Sequence, residues 1–163
     1  MSFSLREQLQ QLSSSPVFLA CVFSWLCAQI IKTFIKLCCG KIHSIGELFE
    51  LLIWRTGSMP SAHSALVSAL CTSIGFRSGI DSDIFILAVC FFFVTIRDAL
   101  GVRRASGIQA KKLNEIGKTL EEKKIFSYQQ IKEVLGHTPL EVIVGCLLGF
   151  FIGLAFSVLE DGR

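Results

Sequence analysis

Two histidines, two carboxylates and a small set of basic residues are the groups in this chain best suited to chemistry. His137 and Glu141 stand four residues apart, so on a helix they share one face, with Cβ atoms about 5–6 Å from each other. His63 follows Pro60-Ser61, a helix-start sequence. Asp98 sits beside Arg97 and just before Gly101, with Arg103 and Arg104 close behind. Such a set supplies the parts of a phosphoryl-transfer site that needs neither metal nor cofactor. One imidazole attacks phosphorus, and a carboxylate fixes its tautomer and steadies the imidazolium. A second imidazole protonates the leaving oxygen. Guanidinium and ammonium groups hold the phosphoryl oxygens. Each part also has a plainer use: His63 bonded at a helix start, His137 and Glu141 steadying a helix entry, Arg103 and Arg104 as basic flanks of a span.

The elements that must position these groups are membrane helices. Of the 163 residues, 52% are hydrophobic and only 18% are charged; soluble domains carry about 25% charge. Mean hydropathy is +0.59. The apolar residues come in blocks, which predicts an all-α integral membrane bundle of about four spans, as a single domain over residues 1–163. The spans are expected near 16–39, 60–76, 84–102 and 139–159. Each can approach the roughly 30 Å of a hydrocarbon core at 1.5 Å per residue. The block at 60–76 is rich in Ala and Ser and reads as a helix buried among others. Gly145, Gly149 and Gly153 recur every four residues, which suits a close helix contact. Residues 40–57 form a polar linker. Residues 103–136 read as one or two surface helices. Near the N-terminus, Phe3, Leu5, Leu9 and Leu12 share a helical face suited to the membrane interface, and one Arg and one Glu in residues 1–15 make a poor signal peptide.

A net charge of +3, with no basic stripe interleaved with aromatics, excludes nucleic acid as the expected partner. The seven cysteines form no Cys-x-x-Cys pair and lie mostly within apolar blocks, so they read as small apolar filler rather than metal ligands. Cys38 and Cys39, at a membrane boundary, are the candidates for acylation. Segment 103–136 holds eight Lys/Arg. The positive-inside rule therefore puts that segment and the 40–57 linker in the cytoplasm, with both termini outside. On this map Lys32, Lys36, His63, Asp98, Arg103, Arg104, His137 and Glu141 all gather at the cytoplasmic ends of their helices. Ionisable residues inside spans usually face a bundle interior, and the lysines of the first span are long enough to reach an interface.

Three ordered motifs carry a resemblance. The run from Gly57 to Ala65, Gly-Ser-Met-Pro-Ser-Ala-His-Ser-Ala, resembles the first signature of the divergent type 2 phosphatidic acid phosphatase family. Asp98-Ala99-Leu100-Gly101-Val102-Arg103-Arg104, followed by Gly107, Gln109-Ala110 and Leu113-Asn114, resembles its second. Leu135-Gly136-His137-Thr138-Pro139-Leu140-Glu141-Val142 resembles its third. The likeness covers about residues 16–159 and implies a membrane phosphatase, or a phosphatase-like protein, acting on a lipid phosphate monoester in a bacterial inner membrane. By resemblance His137 is the nucleophile, Glu141 its orienter and His63 the general acid, with Asp98 orienting an arginine. Two departures from the wider acid phosphatase superfamily stand out: Ile131 occupies the position of an Arg six residues before the nucleophile, and a Lys-x6-Arg-Pro motif is absent. Arg103, Arg104, Lys32 and Arg55 are then the phosphate ligands expected. The alternative reading is a non-catalytic protein that binds or moves anionic lipids through the same basic pocket.

Overall fold

The computed structural model describes residues 4–40, 59–133 and 136–161. The described residues are helical apart from turns and one extended segment. Helix α1 (Leu5–Ser14) begins with a reciprocal cap: Ser4 N–H donates to Glu7 Oε2 at 2.8 Å, and Glu7 N–H donates to Ser4 Oγ at 3.4 Å. Its Leu5, Leu9 and Leu12 are all exposed and form an apolar stripe. One residue later Pro16 opens α2 (Pro16–Cys38), at the helix position where its missing N–H costs nothing. Then come α3 (Ala62–Ser78), α4 (Asp83–Arg97), a π turn (Asp98–Val102), α5 (Arg103–Glu122) and α6 (Pro139–Asp161).

Three described helices are long and apolar enough to cross a membrane: Pro16–Cys38, Asp83–Glu122 and Pro139–Leu159. Helix α3, expected as a fourth span, is not among them, because it has 17 residues and its serines dilute its hydropathy. It needs little lipid-facing surface, because it packs against α2, α4 and α6. The contact with α6 is the closest. Gly145, Gly149 and Gly153 rest on Ser61, Ala65 and Ala69, so two four-residue stripes rise together and the helices run parallel. Gly145 and Gly149 approach backbone atoms so closely that a Cβ on either would collide; one on Gly153 would lie 2.9 Å from Ala69 O. Helix α3 thus runs alongside α6 over the length of that stripe.

A similar stripe on α2 explains where a lysine goes. Ala20, Ser24, Ala28 and Lys32 recur every four residues, and all are buried. Ala28 packs with Ala62 and Ala65, flanked by Trp25 and Leu148. Lys32, expected to reach an interface, instead continues the buried face and is 3% exposed.

The third apolar block runs on without a break into α5, so of the one or two surface helices expected over 103–136 the described residues form one, continuous with the span. Its first 20 residues continue the span helix. Residues 126–133 then return as an extended strap along α5, fastened to Gly117 and Asn114.

Candidate functional site

The entry of α6 organises the first part. Thr138 caps the helix: its carbonyl accepts from Val142 N–H at 3.2 Å, and its Oγ1 accepts from Glu141 N–H at 3.4 Å. Glu141 Oε2 returns the interaction by accepting from Thr138 N–H at 3.0 Å, closing a capping box. The same oxygen lies 3.0 Å from His137 Nδ1. An ionised carboxylate only accepts, so the neutral imidazole carries its proton on Nδ1, and Nε2 is left as the basic nitrogen. His137 is 5% exposed, so the pair is shielded and its geometry is held by packing.

The start of α3 lies beside it. Ser61 N–H donates to Glu141 O at 2.9 Å, tying the two helix starts together. Ser61 Oγ caps α3 by accepting from Ser64 N–H at 3.4 Å. His63, two residues on, is exposed. Two long helices thus open toward one place, and both N-termini favour an anion there. Pro60-Ser61 signals one helix start in the sequence; its pairing with the start of α6 depends on the α3–α6 contact, which only the tertiary structure shows.

The π turn builds the third part. Asp98 Oδ2 accepts from Arg103 Nε at 2.6 Å. Residues five apart lie well off one another on an α-helix, whereas the i, i+5 bonding of a π turn brings them together. Arg103 N–H does bond Asp98 O in this way. The carboxylate engages Nε and leaves the terminal guanidinium nitrogens available. The loop before α6 is seated on the same turn. Gly136 lies directly on the backbone of Arg103 and Arg104, where a Cβ would stand 2.8 Å from Arg103 C. The glycine before His137 is therefore required for close approach.

Lys32 contributes a buried ammonium. Its Nζ donates to Gln29 Oε1 at 3.3 Å, and it lies within electrostatic reach of Glu141 and Lys36. His63 lies within reach of Arg103, His137, Lys32 and Asp98. The structure thus gathers His63, His137, Glu141, Asp98, Arg103 and Lys32 at one end of the bundle. Arg104 is at the same end, but its side chain is exposed and its backbone is what meets Gly136. Arg55 lies outside the described residues, as do Gly57, Ser58 and Leu135 of the motifs and Lys41 of the linker.

Several motif residues serve the strap. Asn114 is 3% exposed. Its Nδ2 donates to Ile131 O at 3.0 Å and to Glu133 Oε1 at 2.7 Å. Its Oδ1 accepts from Ile131 N–H at 2.9 Å and from the Tyr128 hydroxyl. The Tyr128 ring covers Gly117. Gly107, Ala110, Asn114 and Gly117 form the buried face of α5. Their spacing of three, four and three is a helical-face signal, legible once small and amide residues are counted with the apolar ones.

A parallel-helix membrane protein with paired helix starts, a shielded His–Glu pair and basic groups at one end is the class that fold and site define. Residues 13–152 match the divergent PAP2 family, and the chain belongs to it. It is 36% identical over 141 residues to the uncharacterized membrane protein YuiD of Bacillus subtilis (strain 168), covering 80% of this chain and 86% of that protein. No solved structure matches the chain.

Proposed function

We propose that this protein hydrolyses a lipid phosphate monoester at the cytoplasmic end of its bundle through a phosphohistidine. The observation that carries the reading is the pair of buried His137 and half-buried Glu141, 3.0 Å apart, beside His63, Arg103 and Lys32. His137 Nε2 attacks phosphorus, and the P–O bond to the lipid breaks. The leaving oxygen takes a proton from His63. Water then attacks phosphorus with His63 as base, the P–N bond breaks, and inorganic phosphate leaves with His137 restored. Glu141 holds the tautomer and offsets the imidazolium charge. Arg103, oriented by Asp98, and Lys32, with Arg104 and Arg55, hold the phosphoryl oxygens, helped by the two helix N-termini. The eight basic residues of segment 103–136 support the cytoplasmic orientation.

One observation favours a second reading, the non-catalytic binding of anionic lipids. Ile131 replaces a superfamily arginine, and its backbone is clamped by Asn114 rather than turned to the site. The test is phosphate release by purified protein in nanodiscs from a panel of phosphorylated lipids, with His137→Ala as the control. Release that depends on His137 supports hydrolysis. Copurification of anionic lipid without any release supports the second reading.

A further inference from the structure

We infer that Asn114 is a positioning residue for His137, acting at a distance through the strap between α5 and α6. The inference rests on the catalytic reading above. A primary amide has two donor hydrogens and two acceptor sites, and Asn114 spends all four on the strap: Ile131 O, Glu133 Oε1, Ile131 N–H and the Tyr128 hydroxyl. Its two hydrogen bonds with Ile131, one to the carbonyl and one from the N–H, imitate a β-bridge between a helix side chain and an extended chain. Among the described residues few other bonds fasten this segment. Tyr128 N–H reaches Glu121 Oε1 at 3.4 Å, while residues 129–133 are exposed.

Residues 128–133 run antiparallel to α5, with Tyr128 over Gly117 and Ile131 at Asn114. Three residues beyond Glu133, Gly136 lies on the backbone of Arg103 and Arg104, and His137 follows it. His137 is held from the α6 side by Glu141 and by its own burial, and Asn114 supplies the hydrogen bonds that hold residues 128–133 on the α5 side. A segment with few buried contacts opens locally at low free energy when its hydrogen bonds are removed. Loss of the clamp therefore loosens His137 against Arg103 while leaving Arg103, Asp98, Lys32 and His63 on their helices.

Two readouts on the full-length protein in nanodiscs test this. The first is carbethoxylation of His137 by diethyl pyrocarbonate, mapped by peptide mass spectrometry with exposed His63 as internal reference. It requires no catalytic activity. Asn114→Ala is expected to raise labelling of His137 relative to His63 about tenfold, the opening expected from losing a clamp of net worth about 1–1.5 kcal/mol. The second is phosphate release from phosphatidic acid. Asn114→Ala is expected to lower kcat about 10²-fold, as for a 1 Å misplacement, with KM nearly unchanged because the phosphate ligands stay in place. Asn114→Asp loses both donors and faces Glu133, so it is expected to behave like the alanine variant. Adding Glu133→Gln returns a donor to that one contact and is expected to restore part of the shielding and rate, since the Ile131 carbonyl still faces a carboxylate oxygen. Absence of phosphate release in wild type overturns the catalytic reading, and the labelling ratio still decides the clamp. An unchanged labelling ratio in Asn114→Ala overturns the clamp.

Discussion

Gly149→Ala tests whether the α3–α6 contact sets the geometry of the site. A methyl at that position would lie 2.8 Å from Ala65 C and 2.9 Å from Ala65 Cα, and closer still to Ala65 O. Carbon atoms in ordinary contact stand about 3.5–4.0 Å apart. The shortfall is therefore about 0.6–1.2 Å, and it falls on backbone that no rotamer change can move. The helices must part, at about 1–3 kcal/mol for an overpacked contact, offset by up to about 1 kcal/mol from the better helix propensity of Ala. At about 2–4 °C per kcal/mol for a chain of this size, the midpoint of thermal unfolding in detergent should fall by several degrees. The displacement also reaches the site, because α6 carries Glu141, with His137 just before its Thr138 cap, while α3 carries His63. A shift of 1 Å costs about 10²-fold in rate, so phosphate release should fall by one to two orders of magnitude. Gly101→Ala is the matched control, since nothing lies within 4 Å of a Cβ there, and it should be neutral or slightly stabilising. A Gly149→Ala protein with wild-type midpoint and rate would refute the close parallel contact.

Three further outcomes are expected. Glu141→Gln keeps a residue type suited to the capping box but no longer fixes the His137 tautomer, so the fold should survive while turnover falls roughly 10²–10⁴-fold; circular dichroism and phosphate release read the two effects separately. Asp98→Asn should raise KM for lipid phosphate more than it lowers kcat, because the 2.6 Å bond to Arg103 Nε orients a substrate ligand; a steady-state KM identical to wild type would remove Asp98 from the site. Single cysteines at positions 80 and 120 of a cysteine-free background should be labelled from outside and from the cytoplasm respectively, and outside labelling at 120 would reverse the orientation.

Much of the fold was legible because burial in a bilayer is written in long apolar runs. The glycine period in α6 announced a close contact, and the structure supplies its partner stripe, Ser61, Ala65 and Ala69. Helix α3 was harder to count, since a helix enclosed by others needs little apolar surface. Lys32 was read as a snorkelling lysine, because the four-residue stripe it completes consists of Ala and Ser and carries almost no hydropathy signal. The π turn was invisible, as one extra residue in a helix alters no composition; only the five-residue spacing of Asp98 and Arg103 hinted at it. His137 and Glu141 do meet, but His137 precedes the Thr138 cap instead of riding on the helix, so the contact comes from the capping box and not from helical i, i+4 spacing. That His63, Lys32 and Arg103 gather within electrostatic reach depends on packing between helices distant in sequence. The strap was missed for a related reason: Asn114, Gly117 and Tyr128 are polar, small and aromatic in turn, and only their shared task unites them.

The account stands most directly on whether phosphorus becomes bonded to His137. Purified protein in nanodiscs would be mixed with phosphatidic acid carrying a radiolabelled phosphate, quenched within milliseconds to seconds, digested under alkaline conditions that preserve phosphohistidine, and mapped by peptide. The account predicts label on the peptide containing His137, lost in His137→Ala together with phosphate release. Phosphate release at the wild-type rate from a folded His137→Ala protein would contradict it.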